Sequence, residues 1–442
     1  MRSIIVLVTL IPFYFLGQYR PTNGVTDSKA GFIALKNAEV VVSPDKTIKN
    51  ATILIQGESI VDVGILVNIP AGTKEIDCSD LVILPGFIEL NSDLGLPKPS
   101  SNGGYNFRPQ LESNKKGAYY WNESVHPEVN ASDSYDIDTK SVEELIKFGI
   151  TFTLTHHQDG IFRGTGALVS LGVEDVNRQM IKPKAALVIS FQKGSSKQTY
   201  PSSQMGSIAL IRQFLYDVKW YSDGNSKETD LSIEAYLAQD SLPILFETKD
   251  KWEILRAEKI AKEFGLSFNY YGSGNEYMAH DQLNPVNGFV ILPLNFPEAY
   301  EVRDPYVARQ IPLSDLKHWE MAPSNPHVMK TEGVDFCFTS SGLKTSDQFW
   351  KNMNMTMQRG LSKQDVLAAL TVNPAKLLGV EKKLGTLEKG KLASFSIYSA
   401  DPFAGGKLLE VWTIGEQKVL SRAPEQDILG KYTINVDGKR YP

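Results

Sequence analysis

At 442 residues, with 42% hydrophobic and 22% charged side chains, the chain has an ordinary globular composition, which excludes a wholly disordered polypeptide and a multi-span membrane protein. Lys and Arg number 46 against 51 Asp and Glu, a net charge of −5, and this excludes the basic field that a nucleic-acid surface needs. A length prior of ~150 residues per domain gives about three units, or one large unit with an accessory layer.

The chain opens with Met1-Arg2 and the apolar run Ile4 to Leu16, the positive start and short apolar region of an export signal, too short to span a bilayer comfortably. Gly17 suits a cleavage site and Phe15 does not, so a retained N-terminal anchor stands as the alternative. Residues 1–17 are read as a signal peptide and 18–30 as a polar linker. The expectation is an exported protein, periplasmic or of the cell envelope, with no stable membrane span.

Residues 31–81 predict short strands at Ile33 to Leu35, Val40 to Val42, Ala51 to Gln56 and Ile60 to Val63, punctuated by Pro44-Asp45 and Gly57-Glu58. A matching set over 381–422 includes Ala393 to Tyr398, Val411 to Ile414 and Val419-Leu420. A few strands alone cannot bury a face, so the two ends are expected to form one composite β-sandwich. Between them, 82–380 alternates apolar segments with helical patterns, as a parallel α/β sheet does. The strands are Val82 to Ile88, Ile150 to Thr155, Ala185 to Ser190, Pro243 to Glu247, Leu266 to Tyr271, Gly288 to Leu294 and Asp335 to Ser340. That makes a TIM-like (β/α) barrel of seven strands, or of eight if Gly166 to Leu171 joins them. The fold class is therefore α/β.

Local signals mark two helices. Asp250-Lys-Trp-Glu253 resembles a capping box and Gly265 a stop, while Ser362-Lys-Gln-Asp365 opens a helix that Pro374 breaks. The stretch Gly95 to Ser141, rich in Asn, Ser, Gly and Pro, follows the first barrel strand and reads as a lid or a partner surface. Tyr105, Phe107, Tyr119, Tyr120 and Trp121 give it more aromatic character than disorder carries. Cys78 and Cys337 are too far apart and too apolar in context for a disulfide framework or a thiolate zinc site, and read as small buried hydrophobes. His156 and His157 are adjacent on a strand and cannot face one ion without a bulge. His318 and Glu320 could line the barrel mouth, against the plainer alternative of a helix face ending before Pro323. Gly160 to Gly166 lacks the Lys-Ser/Thr of a phosphate loop and reads as a tight turn between strands. Gly272-Ser273-Gly274 reads as a βα turn, and Glu276, Asp281 and Asp304 as solvated.

Four blocks carry a resemblance: Leu84 to Gly95, Gly149 to Thr153, Thr371 to Gly379 and Leu384 to Lys391. Together, and in this order, they resemble the amidohydrolase superfamily, its imidazolonepropionase-like branch in particular. The chain is also similar to the first module of large exported amidohydrolase-like proteins of Bacteroidota-type bacteria, in which a poor metal site precedes a more complete second module. The resemblance implies hydrolysis of C–N bonds in cyclic amides or peptide-like substrates, on a divalent metal held by Pro-Gly-Phe-Ile-Asp-x-His-x-His, by histidines after two middle strands and by a final Asp. The matching positions here are Asn91, Asp93, Glu247, Ser273 and Ser341, which contain no imidazole and lack the final carboxylate that also serves as base. Asp93 and Glu247 are left as candidate catalytic residues. No cofactor is expected, and an oxygen-only set would suit Mg²⁺ or Ca²⁺ better than zinc.

Two readings follow. The first is a degenerate module that binds or scaffolds without cleaving, for a small-molecule or peptide-like ligand, with a further amidohydrolase module or a second copy as partner. The second is an active hydrolase built on Asp93 and Glu247. The segment 423–442 ends in a strand-and-turn pattern without a mate and reads as the possible start of another module.

Overall fold

The computed structural model describes residues 31–99, 109–172, 175–283 and 286–421, together with the short paired strands Ile434–Val436 and Lys439–Tyr441. The signal and linker expected over 1–30, Tyr105 and Phe107, and most of the tail expected over 423–442 lie outside the described residues. No described helix is long and apolar enough to cross a membrane.

The chain begins as a meander because its turn residues fall where the strands must reverse. β1 (Phe32–Ser43) and β2 (Lys46–Gln56) are antiparallel, with Ser43 opposite Lys46 across Pro44-Asp45. Gly57, at φ +60°, turns the chain into β3 (Ser59–Gly64). β4 (Lys74–Asp77) and β5 (Val82–Pro85) both run parallel to β1.

At Gly86 the chain changes sheets. The amide of Gly86 donates to Ser394 O at 3.1 Å, and the next amide, of Phe87, donates to Gly149 O at 3.1 Å. The strand expected over Val82 to Ile88 is therefore two: β5, and β6 (Phe87–Ser92) in a second sheet. Pro85 has no N–H to continue the first ladder, and a Cβ on Gly86 would lie 2.0 Å from Thr151 Oγ1.

The second sheet continues with β7 (Ile150–Thr155), β8 (Phe162–Ser170), β9 (Met180–Ser190), β10 (Ile244–Glu247), β11 (Phe268–Tyr271), β12 (Val290–Pro293) and β13 (Phe336–Thr339), each beside the next. Its neighbours pair in parallel except β8, which is antiparallel to both β7 and β9. β8 covers the eighth strand expected at Gly166 to Leu171 as far as Ser170. It also corrects the tight turn expected over Gly160 to Gly166, most of which is the beginning of this strand. β7, β8, β11 and β13 are buried at every position, as strands covered on both faces are. The sheet curls until its outer strands meet: Glu89 of β6 accepts hydrogen bonds from Thr339 of β13 and from Ser340 just beyond it.

The chain then returns to the first sheet through β14 (Phe395–Tyr398), β15 (Leu408–Thr413) and β16 (Glu416–Val419). β14 pairs with β5, so both ends of the described chain share one ladder, ordered β16-β15-β14-β5-β1-β2-β3 with β4 beside β1. The strands of the expected composite unit, from both ends of the chain, are thus hydrogen-bonded in one continuous sheet. Phe395 and Trp412, cross-strand partners, stack at 5.5 Å in its core with Leu35, Ile53 and Ile83.

Both expected helix starts are capped. Asp250 accepts from the Glu253 amide at 2.9 Å ahead of helix Lys251–Phe264, and Gly265 ends that helix at φ +67°. Ser362 accepts from the Asp365 amide at 3.1 Å ahead of helix Lys363–Leu370. That helix ends one residue before Thr371, and Pro374 lies in the first turn of the next helix, Val372–Leu377, where its missing N–H leaves no bond unmade. Cys78 and Cys337 are both buried and free.

The handover between sheets gives a stability prediction. Gly86→Ala drives a methyl into the buried Thr151 side chain and should cost about 1 to 3 kcal/mol in denaturant unfolding. Gly64→Ala, with open space around it, should change stability by under about 0.5 kcal/mol.

Candidate ligand pocket at the strand ends

β6 delivers the candidate residues. It alternates inward and outward positions through Glu89, Leu90 and Asn91, and then runs out at Asp93. Asn91, Asp93 and Ser341 all line a cavity of about 670 Å³, together with Lys98, Glu144 and Lys344. Asp93, Glu144, Lys98 and Lys344 are exposed, and none of the four side chains makes a hydrogen bond or ion pair among the described residues. Five carboxyl side chains (Glu89, Asp93, Asp136, Asp138 and Glu144) and two lysines form its charged wall.

Glu89 was not anticipated as a site residue. It is 2% exposed and accepts four hydrogen bonds: from Thr339 Oγ1, Ser340 N (2.7 Å), Ser340 Oγ (2.6 Å) and Asn91 N (2.8 Å). Burial pushes its pKa up, opposed by the bonds from Ser340, Thr339 and the Asn91 amide. The available signal was a lone acid inside the apolar run Phe87 to Leu90, where an unpartnered charge is not tolerated.

Glu247 does not line the cavity. At the end of β10 it forms an ion pair with Arg163, whose side chain is 2% exposed and whose Nε also donates to Gly160 O at 3.1 Å. Beside this pair, His156 is 2% exposed and stacks on Tyr271 at 5.6 Å. Burial, and then the Arg163 charge, lower the His156 pKa to about 4, so the ring is neutral at pH 7. A carbonyl can only accept, so the ring proton sits on Nδ1, donated to His157 O at 3.1 Å. The Tyr271 hydroxyl donates its one proton to Leu90 O at 2.8 Å, and its oxygen lies 3.2 Å from His156 Nε2. His157 is half-buried, its Nε2 3.0 Å from Ser134 Oγ.

The remaining candidates lie elsewhere. Ser273 belongs to a turn, with its amide on Glu276 Oε1 at 2.6 Å and its hydroxyl on Asn275 Oδ1 at 2.9 Å. Glu276, expected to be solvated, is fully buried, because the same turn wraps the Ser273 and Gly274 amides onto its carboxylate and Asn325 Nδ2 adds a bond at 2.6 Å. His318 stacks on Tyr277 at 6.0 Å with Nδ1 3.2 Å from its hydroxyl, on helix Leu313–Met321; Glu320, on the same helix, is exposed, and neither residue lines the cavity. Asp281 is exposed, and Asp304 caps a short helix by accepting from the Tyr306 amide.

A hydrolytic divalent ion needs several unengaged donors converging on one point. Glu247 is neutralised by a guanidinium, Glu89 is saturated by four donors, and Ser273 is tied into its turn, while Asn91 and Ser341 are neutral. This donor set does not fit such an ion. Elsewhere among the described residues, His280, Asp281 and Glu332 bring ligand atoms within 4.8 Å of one another. There His280 Nδ1 lies 3.0 Å from each carboxylate, and none of the three lines the cavity.

The comparisons with known proteins agree with this architecture. Residues 308–421 match the model of the Amidohydrolase family. An amidohydrolase from Thermotoga maritima MSB8 superposes with a TM-score of 0.69 at 24% identity, over 88% of this chain and 100% of its own. A beta-aspartyl dipeptidase from Fervidobacterium islandicum AW-1 gives 0.54 at 13% identity, over 90% of this chain and 100% of its own. A Xaa-Pro dipeptidase with bound methionine gives 0.53 at 12% identity, over 88% and 100%. No curated protein sequence matches the chain. A C-terminal segment that matches the Amidohydrolase family thus lies on a fold shared with these solved structures.

His156 gives a pH test. Its folded-state pKa lies below the unfolded value near 6.5, so its contribution is complete above pH 6.5 and is lost as pH falls toward about 4. Between pH 7 and 4.5 this costs about 2 to 3 kcal/mol. His156→Phe, which keeps the stacking on Tyr271, should narrow the gap between chemical-denaturation stabilities at the two pH values by that amount.

Proposed function

We propose that this protein uses the amidohydrolase fold to bind a small peptide-like ligand bearing an amine, in the cavity beyond β6 and β13, without metal-assisted hydrolysis. The observation that carries the reading is the contrast between engaged and unengaged carboxylates. Glu247 and Glu89 are held by protein donors, whereas Asp93 and Glu144 face the cavity with no hydrogen bond or ion pair among the described residues. An ammonium group satisfies such acids, and Lys98 and Lys344 supply counter-charges for a ligand carboxylate. Two of the structurally similar proteins are dipeptidases, which supports a ligand of this size and polarity.

The apolar start at Ile4 to Leu16 supports export to the periplasm or cell envelope. In that setting the protein serves as a binding or scaffolding module for an active amidohydrolase-like partner or for a second copy. The competing reading is a hydrolase of C–N bonds acting through Asp93. It draws on the same cavity and on the hydrolases that share the fold.

One experiment separates them. Purified full-length protein is titrated calorimetrically with amine-bearing dipeptides, assayed against amide and lactam substrates, and analysed for metals. Binding without turnover is expected, with Asp93→Asn weakening affinity about tenfold, the loss of one charge-assisted contact. Stoichiometric metal together with turnover abolished in Asp93→Ala would defeat the proposal.

A further inference from the structure

The fold implies a divalent ion at the strand ends, and the donor set there does not fit one. We infer that Arg163 is a built-in cation that takes over the electrostatic role of that ion, holding the Glu247 carboxylate permanently in place of a metal. The inference deepens the reading of a metal-free binding site and rests on it.

Three observations carry it. The first is the pair itself. An arginine with a 2% exposed side chain sits on a carboxylate at a strand end, at a position the family resemblance assigns to a metal ligand. A guanidinium cannot lose its proton at any accessible pH, so its charge is as permanent as that of an ion.

The second is the backbone that aims it. Between the pairs Phe162–Ile189 and Thr165–Leu187, β8 advances three residues while β9 advances two, a bulge that falls on Arg163-Gly164. Gly164 adopts φ +80°, and a Cβ there would lie 1.8 Å from Val129 O, so only glycine fits. Bulges of this kind re-aim a side chain. Because β8 runs against its neighbours, its first residues, Arg163 among them, lie at the end of the sheet where β10 delivers Glu247.

The third is the company the pair keeps. Tyr271 lies directly across from Glu247 on the neighbouring strand and stacks on His156 at 5.6 Å, so aromatic groups flank the carboxylate and Arg163 is the cation paired with it. His156, kept neutral beside it, adds no competing charge.

The test is cation-dependent melting of the full chain, with MgCl₂ and MnCl₂ as probes. Wild-type Tm is expected not to respond. Arg163→Met frees Glu247, so its Tm should fall and then rise by about 3 °C or more with added cation. The rise should vanish in Arg163→Met/Glu247→Gln. Equal responses from wild type and Arg163→Met, or a response that survives in the double variant, would overturn the inference. Should Arg163→Met fail to fold without cation, the double variant, with neither charge of the pair left, is expected to fold. If both fail, Arg163 acts through packing and the inference falls. Dipeptide binding by the wild type tests the metal-free ligand site separately, and neither melting result changes it.

Discussion

Everything at the strand ends follows from one constraint: a charge removed from water must be given a partner by the protein. Glu89 meets it with four hydrogen bonds from Asn91, Thr339 and Ser340, and the buried Arg163 guanidinium meets it with the Glu247 carboxylate, itself 37% exposed. In the first case the bonds also join β6 to β13, so the solvation of a carboxylate and the meeting of the sheet's outer strands are one event. Removing a donor from Glu89, or Glu247 from Arg163, would leave a buried polar group unmet, which costs more than the bond contributes when intact.

The same demand separates two kinds of acid in one small region. Those embedded between strands are committed to internal partners and have little left to offer a ligand. Those on the connections beyond the strands, Asp93 and Glu144, remain directed at the cavity. A solvated, negatively biased cavity above a neutralised floor is suited to holding a cationic group. No set of unengaged donors converges there to hold a Lewis acid, so any activation of water would fall to Asp93 or Glu144 acting as a base.

Much of the scaffold was legible in the sequence because it is written in local chemistry. The strands Ile150 to Thr155 and Pro243 to Glu247, the caps at Asp250 and Ser362 and the stop at Gly265 depend on periodicity or on residues within one turn. The likeness of the chain ends to each other was legible too, but not that β5 links them into one ladder, since pairing partners far apart in sequence leave no local trace. The break at Gly86 was hidden inside a continuous apolar run, where only three-dimensional crowding by Thr151 reveals it. Among the site residues, Asn91, Asp93 and Ser341 converge, while Glu247 and Ser273 are engaged elsewhere. Arg163 was concealed by a glycine-rich stretch that reads as a turn. Its direction depends on a one-residue slip between β8 and β9, which composition cannot express.

The reversal of β8 also decides what shields the sheet's flank. Parallel neighbours require a crossover, usually helical, whereas β7, β8 and β9 follow one another by reversals. Cover comes instead from irregular chain, through bridges from Gln110 to Gln198, Val125 to Phe162 and Asn130 to Thr165. Tyr120 anchors it by an edge contact with Phe214 at 5.0 Å and a bond to Asp217 at 2.7 Å. What looks like ornament after the first strand is thus a retaining wall, and trimming it would leave the bulge at Arg163 open to water.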